Sequence, residues 1–202
     1  MARPSVEAER KAQILGAACA VLADVGFTAL RISDVAKRVG TSTGTVHYYF
    51  PTKRDLTTAA FEWNFERSLE RRQHILELHD DPRTELRAFV DSYLPGDEVT
   101  VQAWHVWAEL WVEALHDDDL AALNERVYGA WRKIVCRIIE EGQAAGHFRA
   151  GDALNLANGL IGLIDGLSLQ VLLGSKEMDV ERMRVVCDEW LAALDVVEPI
   201  RS

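Results

Sequence analysis

An all-helical fold of about nine helices is what this sequence predicts, and three observations predict it. Apolar residues recur at every third or fourth position along nearly the whole chain, the spacing of one helical face. No run alternates apolar and polar residues for long enough to make a half-buried strand. Only 5 Pro and 13 Gly in 202 residues leave little material for the many turns of a β sandwich.

The first helix is expected over Glu7–Val25, with Ile14, Ala18, Val21, Leu22 and Val25 on one stripe. Gly26 stands where a left-handed stop is wanted, and Phe27 falls against Leu22, the apolar contact of a Schellman motif. Ile32, Val35, Ala36 and Val39 make the buried face of a short second helix closed by Gly40. The third, Thr43–Tyr49, has Ser42 as N-cap and is stopped by Pro51, which disfavours helical geometry at Phe50. Thr52 and Asp55 form a capping box that opens a long fourth helix through Leu78. Later helices are expected over Arg83–Leu94, Thr100–Leu115, Asp119–Ala145, Asp152–Leu173 and Val180–Leu194, divided by Pro, Gly and Asp clusters.

The chain carries 22 Lys and Arg against 32 Asp and Glu, a net charge of −10. The balance is uneven. Residues 1–54 hold eight basic and four acidic side chains, and the remaining 148 hold 14 and 28, so a head of +4 precedes a body of −14. That division suits a DNA reader joined to a module that does not bind DNA. Neither the opening segment, with its five charged side chains, nor Ala153–Ile164, broken by Asp165, reads as a signal or a membrane span. The expected location is the cytosol, with no membrane partner. Cys19, Cys136 and Cys187 are odd in number and far apart, which favours reduced thiols.

The second and third helices, joined by Gly40-Thr41-Ser42, make a helix-turn-helix candidate. At 100° per residue Val46, Tyr49 and Phe50 share the packing side of the third helix, while Gly44 and Tyr48 point away, flanked by Thr45 and His47. Gly44 lowers helix propensity by up to about 1 kcal/mol relative to Ala, so its presence suggests close approach of a sugar-phosphate strand. The candidate DNA contacts are Arg31, Ser42, Thr43, Gly44, Thr45, His47, Tyr48, Tyr49 and Lys53. Thr45 suits a base edge, His47 and Tyr48 bases or phosphates, and Lys53 a phosphate. Such contacts call for no catalytic residue, cofactor or metal. His74 and His79 are five apart rather than four, and no zinc-protease helix, phosphate loop or nucleophile elbow occurs.

Residues 14–56 resemble the amino-terminal domain of TetR-type transcriptional regulators. The likeness rests on Gly26-Phe27, the run Ile32-Ser33-Asp34-Val35-Ala36-Lys37-Arg38-Val39-Gly40-Thr41-Ser42-Thr43-Gly44-Thr45-Val46-His47-Tyr48-Tyr49-Phe50, Lys53 and Leu56. It implies that the third helix reads the major groove of double-stranded DNA, in a homodimer whose subunits each have nine or ten helices. Arg31 and His47 depart from the family, which often has Thr and Tyr there, and this bears on the operator sequence rather than the fold.

Residues 56–202 resemble the effector-binding and dimerisation half of these regulators, more narrowly the choline-responsive BetI-type subgroup. Trp104-His105-Val106-Trp107-Ala108-Glu109, Gly146-His147-Phe148-Arg149 and Leu163-Ile164-Asp165-Gly166-Leu167-Ser168-Leu169-Gln170 carry that likeness. The expected division is therefore 1–55 for DNA and 56–202 for effector and partner. Trp104, Trp107 and Trp111 share a helix face and read either as core or as an aromatic cage for a cationic effector. With Trp131 and Asp165 they are the candidate ligand residues, Asp165 reading either as countercharge or as a structural group. Leu156, Leu160, Leu163 and Leu167, with Met183, Trp190 and Leu194, offer apolar seams for a four-helix dimer interface, beside Gly159, Gly162 and Gly166. The implied function is a repressor released from a palindromic operator by a small molecule. A protein-interaction module of the same fold, with weak or no DNA binding, is the alternative.

Overall fold

A computed structural model describes residues 6–78 and 81–196. These residues form nine α-helices, α1 (Val6–Ala29), α2 (Ile32–Val39), α3 (Thr43–Tyr49), α4 (Lys53–Leu78), α5 (Pro82–Asp91), α6 (Glu98–Ala114), α7 (Asp118–Ala144), α8 (Ala153–Leu172) and α9 (Val180–Leu194). Among the described residues extended pairing is limited to one isolated bridge, Phe148 to Asp195.

Capping acids set most helix starts. Asp81, Asp152 and Asp179 each accept a hydrogen bond from the backbone N–H three residues on. Asp97 and Asp117 accept from two N–H groups each, which starts α6 and α7 at Glu98 and Asp118 rather than at Thr100 and Asp119 as expected. At α4 the expected box forms: Thr52 N–H donates to Asp55 Oδ2 at 3.0 Å, and Asp55 N–H to Thr52 Oγ1 at 3.0 Å.

The chain divides into two compact units. One takes the described residues up to Ser68 with Gln102–Asn124, the other Leu69–Val101 with Glu125 onward, so α4, α6 and α7 contribute to both. In the first unit α1 packs on α2 and α2 on α3 around Ile14, Ala18, Leu22, Val35, Val46 and Leu56. In the second α9 lies against α8 and α5 around Leu86, Val90, Ile138, Leu160, Met183 and Leu194.

Gly26 corrects one expectation. Its φ of 79° is positive, but its ψ of 169° lies outside the left-handed helical well. The chain therefore turns outward and resumes a helical turn to Ala29, and Phe27 N–H donates 2.6 Å to Glu109 Oε2 instead of closing a Schellman motif. The Phe27 ring stacks on Phe61.

By length and apolarity alone α1 and α8 each match a membrane span, although the charge pattern predicts none. Their apolar faces have a use inside the fold: Ile14, Leu15, Ala18, Cys19, Val21 and Leu22 of α1, and Ala157, Leu160, Ile161, Ile164 and Leu167 of α8, are buried. Burial also pushes the Cys19 thiol up to about 12 and the Cys187 thiol to about 11, far from the thiolate that makes a cysteine reactive.

Candidate nucleic-acid interface

The turn between α2 and α3 is specified locally. Gly40 adopts φ 72° and ψ 41°, and Thr41 N–H reaches back to the Ala36 carbonyl at 2.9 Å, closing α2 with a Schellman bond. Two residues later Ser42 Oγ accepts from Thr45 N–H at 3.1 Å and starts α3. Val46 and Phe50 then turn inward, with Tyr49 half-buried, while Ser42, Thr43, Gly44, His47 and Tyr48 are exposed.

The exposed side of α3 is low at Gly44 and carries a projecting aromatic at Tyr48. Only Ser42 Oγ, at 3.6 Å, comes near where a Cβ on Gly44 would stand, so another backbone can approach there. Tyr48 is 77% exposed and its ring meets Tyr49 edge-on at 5.1 Å, which braces an otherwise free aromatic. Thr45 is half-buried. Arg31 occupies the N-cap of α2 without a side-chain cap bond and is exposed. Lys53 is tied more closely than anticipated: Nζ donates to the Thr28 carbonyl at 3.0 Å and lies 5.0 Å from the Phe27 ring centroid. An ammonium has three donors, so a phosphate contact would be made by a lysine already fixed at the end of α1.

The same unit fastens this head to α6 and the start of α7. Glu109, five residues beyond Trp104 on α6, holds the Phe27 amide, and a Cβ on Gly26 would stand 3.2 Å from its Oε1. Arg54 donates to Asp117 and to Asp119, and its guanidinium holds the Asp117 carboxyl below the ordinary range. Sequence reasoning missed these links, because neither Glu109 nor Asp117 carries a local signal of a partner far along the chain.

The ligand candidates fall in both units. Trp104 and Trp107 are 4% and 6% exposed in the first. Trp104 meets half-buried Trp111 at 6.2 Å and Trp107 meets Phe65 at 6.4 Å, aromatic core packing in each case. In the second unit Trp131 packs against Tyr93 and Phe89, at 5.4 and 6.0 Å. The Arg72 guanidinium lies 3.5 Å from the Tyr93 ring centroid and donates to Ser92 Oγ and the Ser92 carbonyl. A cation therefore already covers that ring, and it belongs to the protein. Asp165 accepts from the Tyr128 hydroxyl at 2.6 Å, and burial pushes its carboxyl up to about 6. Among the described residues no three His, Cys, Asp or Glu side chains gather as a metal site.

The residues expected at the dimer seam differ in burial. Leu160, Leu167, Met183 and Leu194 are 0–8% exposed, covered by their own subunit because α8 and α9 turn these faces toward each other and toward α5. Leu156, Leu163 and Trp190 are half-buried. The open side of α8 is Asn155, Asn158, Gly159, Gly162, Gly166, Leu169 and Gln170, with Leu173 at its C-cap, a face without a charged side chain. A Cβ on Gly162 or Gly166 would meet nothing within 4 Å.

Residues 14–60 match the model of bacterial regulatory proteins of the tetR family, and residues 82–196 match that of the BetI-type transcriptional repressor C-terminal domain. The BetI regulator of Stenotrophomonas maltophilia is 28% identical over 189 residues, 91% of this chain and 92% of that protein. A transcriptional regulator from Saccharomonospora viridis, solved in complex with choline, is 33% identical with a TM-score of 0.89, over 94% of this chain and 99% of the other. A TetR-family regulator from Rhodococcus sp. follows at 27% and 0.81, over 93% and 99%.

Proposed function

Because the chain belongs to the TetR family of transcriptional regulators, with a BetI-type C-terminal half, we propose that it is a homodimeric cytoplasmic repressor released from a palindromic operator by a small cationic effector. The family is non-enzymatic and binds DNA through its helix-turn-helix. The observation that carries the reading is the exposed side of α3, where Gly44 leaves the backbone open and Tyr48 stands free.

Labour divides at residue 55. The head, 1–55, reads DNA through Ser42, Thr43, Gly44, Thr45, His47, Tyr48, Tyr49 and Lys53, with Arg31 as a further phosphate contact. Two copies of α3 enter successive major grooves about 34 Å apart, which requires an operator with twofold symmetry. Residues 56–202 supply partner and effector sites. The charge-free open face of α8 supports pairing with a second copy, since small residues let helices approach closely and no charge is stranded between them.

The choline bound by the Saccharomonospora relative supports a quaternary or primary ammonium here. The candidate contacts remain Trp104, Trp107 and Trp111 in the first unit and Trp131 and Asp165 in the second, where the Asp165 carboxylate would neutralise a cation. The signal route is helix α6, which carries three of these tryptophans and also holds Phe27 through Glu109. A shift of α6 on binding would move the head. Release requires that the effector bind the non-DNA conformation more tightly, because equal affinity for both shifts nothing.

Selection from genomic fragments with the purified protein tests the function. We expect one palindrome to be enriched and its affinity to fall steeply with salt, by a log–log slope of about −0.9 for each phosphate contact. Absence of any enriched sequence would favour the protein-interaction alternative.

A further inference from the structure

His47 lies in the last turn of α3 and is exposed, and among the described residues it makes one polar contact, Nδ1 to the Pro51 carbonyl at 3.0 Å. A carbonyl oxygen only accepts, so Nδ1 carries the hydrogen in that bond. The outer nitrogen, Nε2, then has a lone pair in the neutral ring and an N–H in the imidazolium. A recognition helix meets base edges chiefly through its N-terminal residues, so the last turn of a seven-residue helix lies toward the phosphate flank. Phosphate oxygens are acceptors, and a neutral Nε2 opposes one acceptor to another. An imidazolium donates a charge-assisted hydrogen bond there.

Resting on the reading of α3 as the helix that enters DNA, we propose that His47 is a proton-gated phosphate contact: on binding, the imidazole of each subunit takes up one proton from solvent at Nε2 and donates it in a hydrogen bond to the DNA backbone. The bond to Pro51 persists in both states, so the ring keeps its aim. The surrounding charges leave the gate to the DNA. On the packed α2 they are Asp34, Lys37 and Arg38, and Arg38 is engaged by Asp24 of α1. At the start of α4, Lys53 is held by Thr28, Arg54 by Asp117 and Asp119, and Asp55 by Thr52. None of them pairs with the imidazole.

The probe is the duplex enriched from genomic fragments by the wild-type protein at neutral pH, and its affinity is measured between about pH 5.5 and about pH 8.5, where an imidazole changes charge. The His47→Gln variant cannot gain charge yet shares every other titrating group, including Asp165, pushed up to about 6. Relative to that variant, wild-type affinity should rise about tenfold toward the acid end, with a salt slope steeper by about 0.9 for each contact made. The His47→Tyr variant, whose phenol donates across this range, should bind tightly at both ends. Parallel pH curves for wild type and His47→Gln would overturn the proposal while leaving DNA binding intact. Failure of the wild type to enrich any duplex would overturn the reading of α3 and the proposal with it.

Discussion

Asp165 interrupts an apolar stretch of α8 and meets one donor, the Tyr128 hydroxyl, which favours its ionised form less than burial opposes it. Its carboxyl sits at about 6 in the folded chain against an ordinary 3.8. The folded state thus holds this proton more tightly than the unfolded state, so the contribution of Asp165 to stability is greatest at low pH and declines as pH rises to about 6. Replacement by Asn keeps an acceptor for Tyr128 and removes the titration. Denaturant unfolding across a pH series should show Asp165→Asn gaining on the wild type between about pH 4 and about pH 6 and a constant difference above that. A gap independent of pH would contradict the burial argument. At this scale the sequence pointed to Asp165 because a carboxylate within an apolar run is visible without coordinates. It could not point to Tyr128, Arg72 or Glu109, whose roles depend on a partner 37, 20 or 82 positions away.

Helices α2, α3 and α9 have their expected limits because the signals that set them are local: a Ser or Asp cap, a left-handed Gly40, a proline after Phe50. Gly26 was misread for the complementary reason. Its positive φ was predictable, but its ψ is set by an acceptor on α6. Gly142 of α7 carried no signal, yet the Phe148 ring lies over it, and a Cβ there would stand 2.1 Å from Cδ2. The Gly142 carbonyl also receives the His147 and Phe148 amides. Ala is the better helix former, but here it must expel a buried ring, so Gly142→Ala should destabilise by about 2 kcal/mol. Thermal unfolding would show it, and an unchanged or raised Tm would mean that Phe148 relaxes without cost.

At the scale of the whole molecule, a basic head and an acidic body were legible by counting, and so was a fold of helices with spare apolar surface. Which leucines pair with a partner was not legible. A heptad pattern marks a face as apolar without saying whether its own subunit covers it, and Leu160, Met183 and Leu194 are covered. The partner surface proposed above is the glycine side of α8. Gly166→Arg would set like charges against each other across a twofold axis, so sedimentation should report monomers with helix content retained, whereas an intact dimer would place the interface elsewhere. The central claim, that α3 brings its backbone against DNA, is tested most directly by Gly44→Leu, assayed for both stability and affinity for the selected operator. A Cβ at this position meets no neighbour closer than Ser42 Oγ, and leucine improves helix propensity by up to about 1 kcal/mol. The account predicts an unchanged or higher Tm together with at least about a tenfold loss of affinity; a variant that is as stable and binds as tightly as the wild type would contradict it.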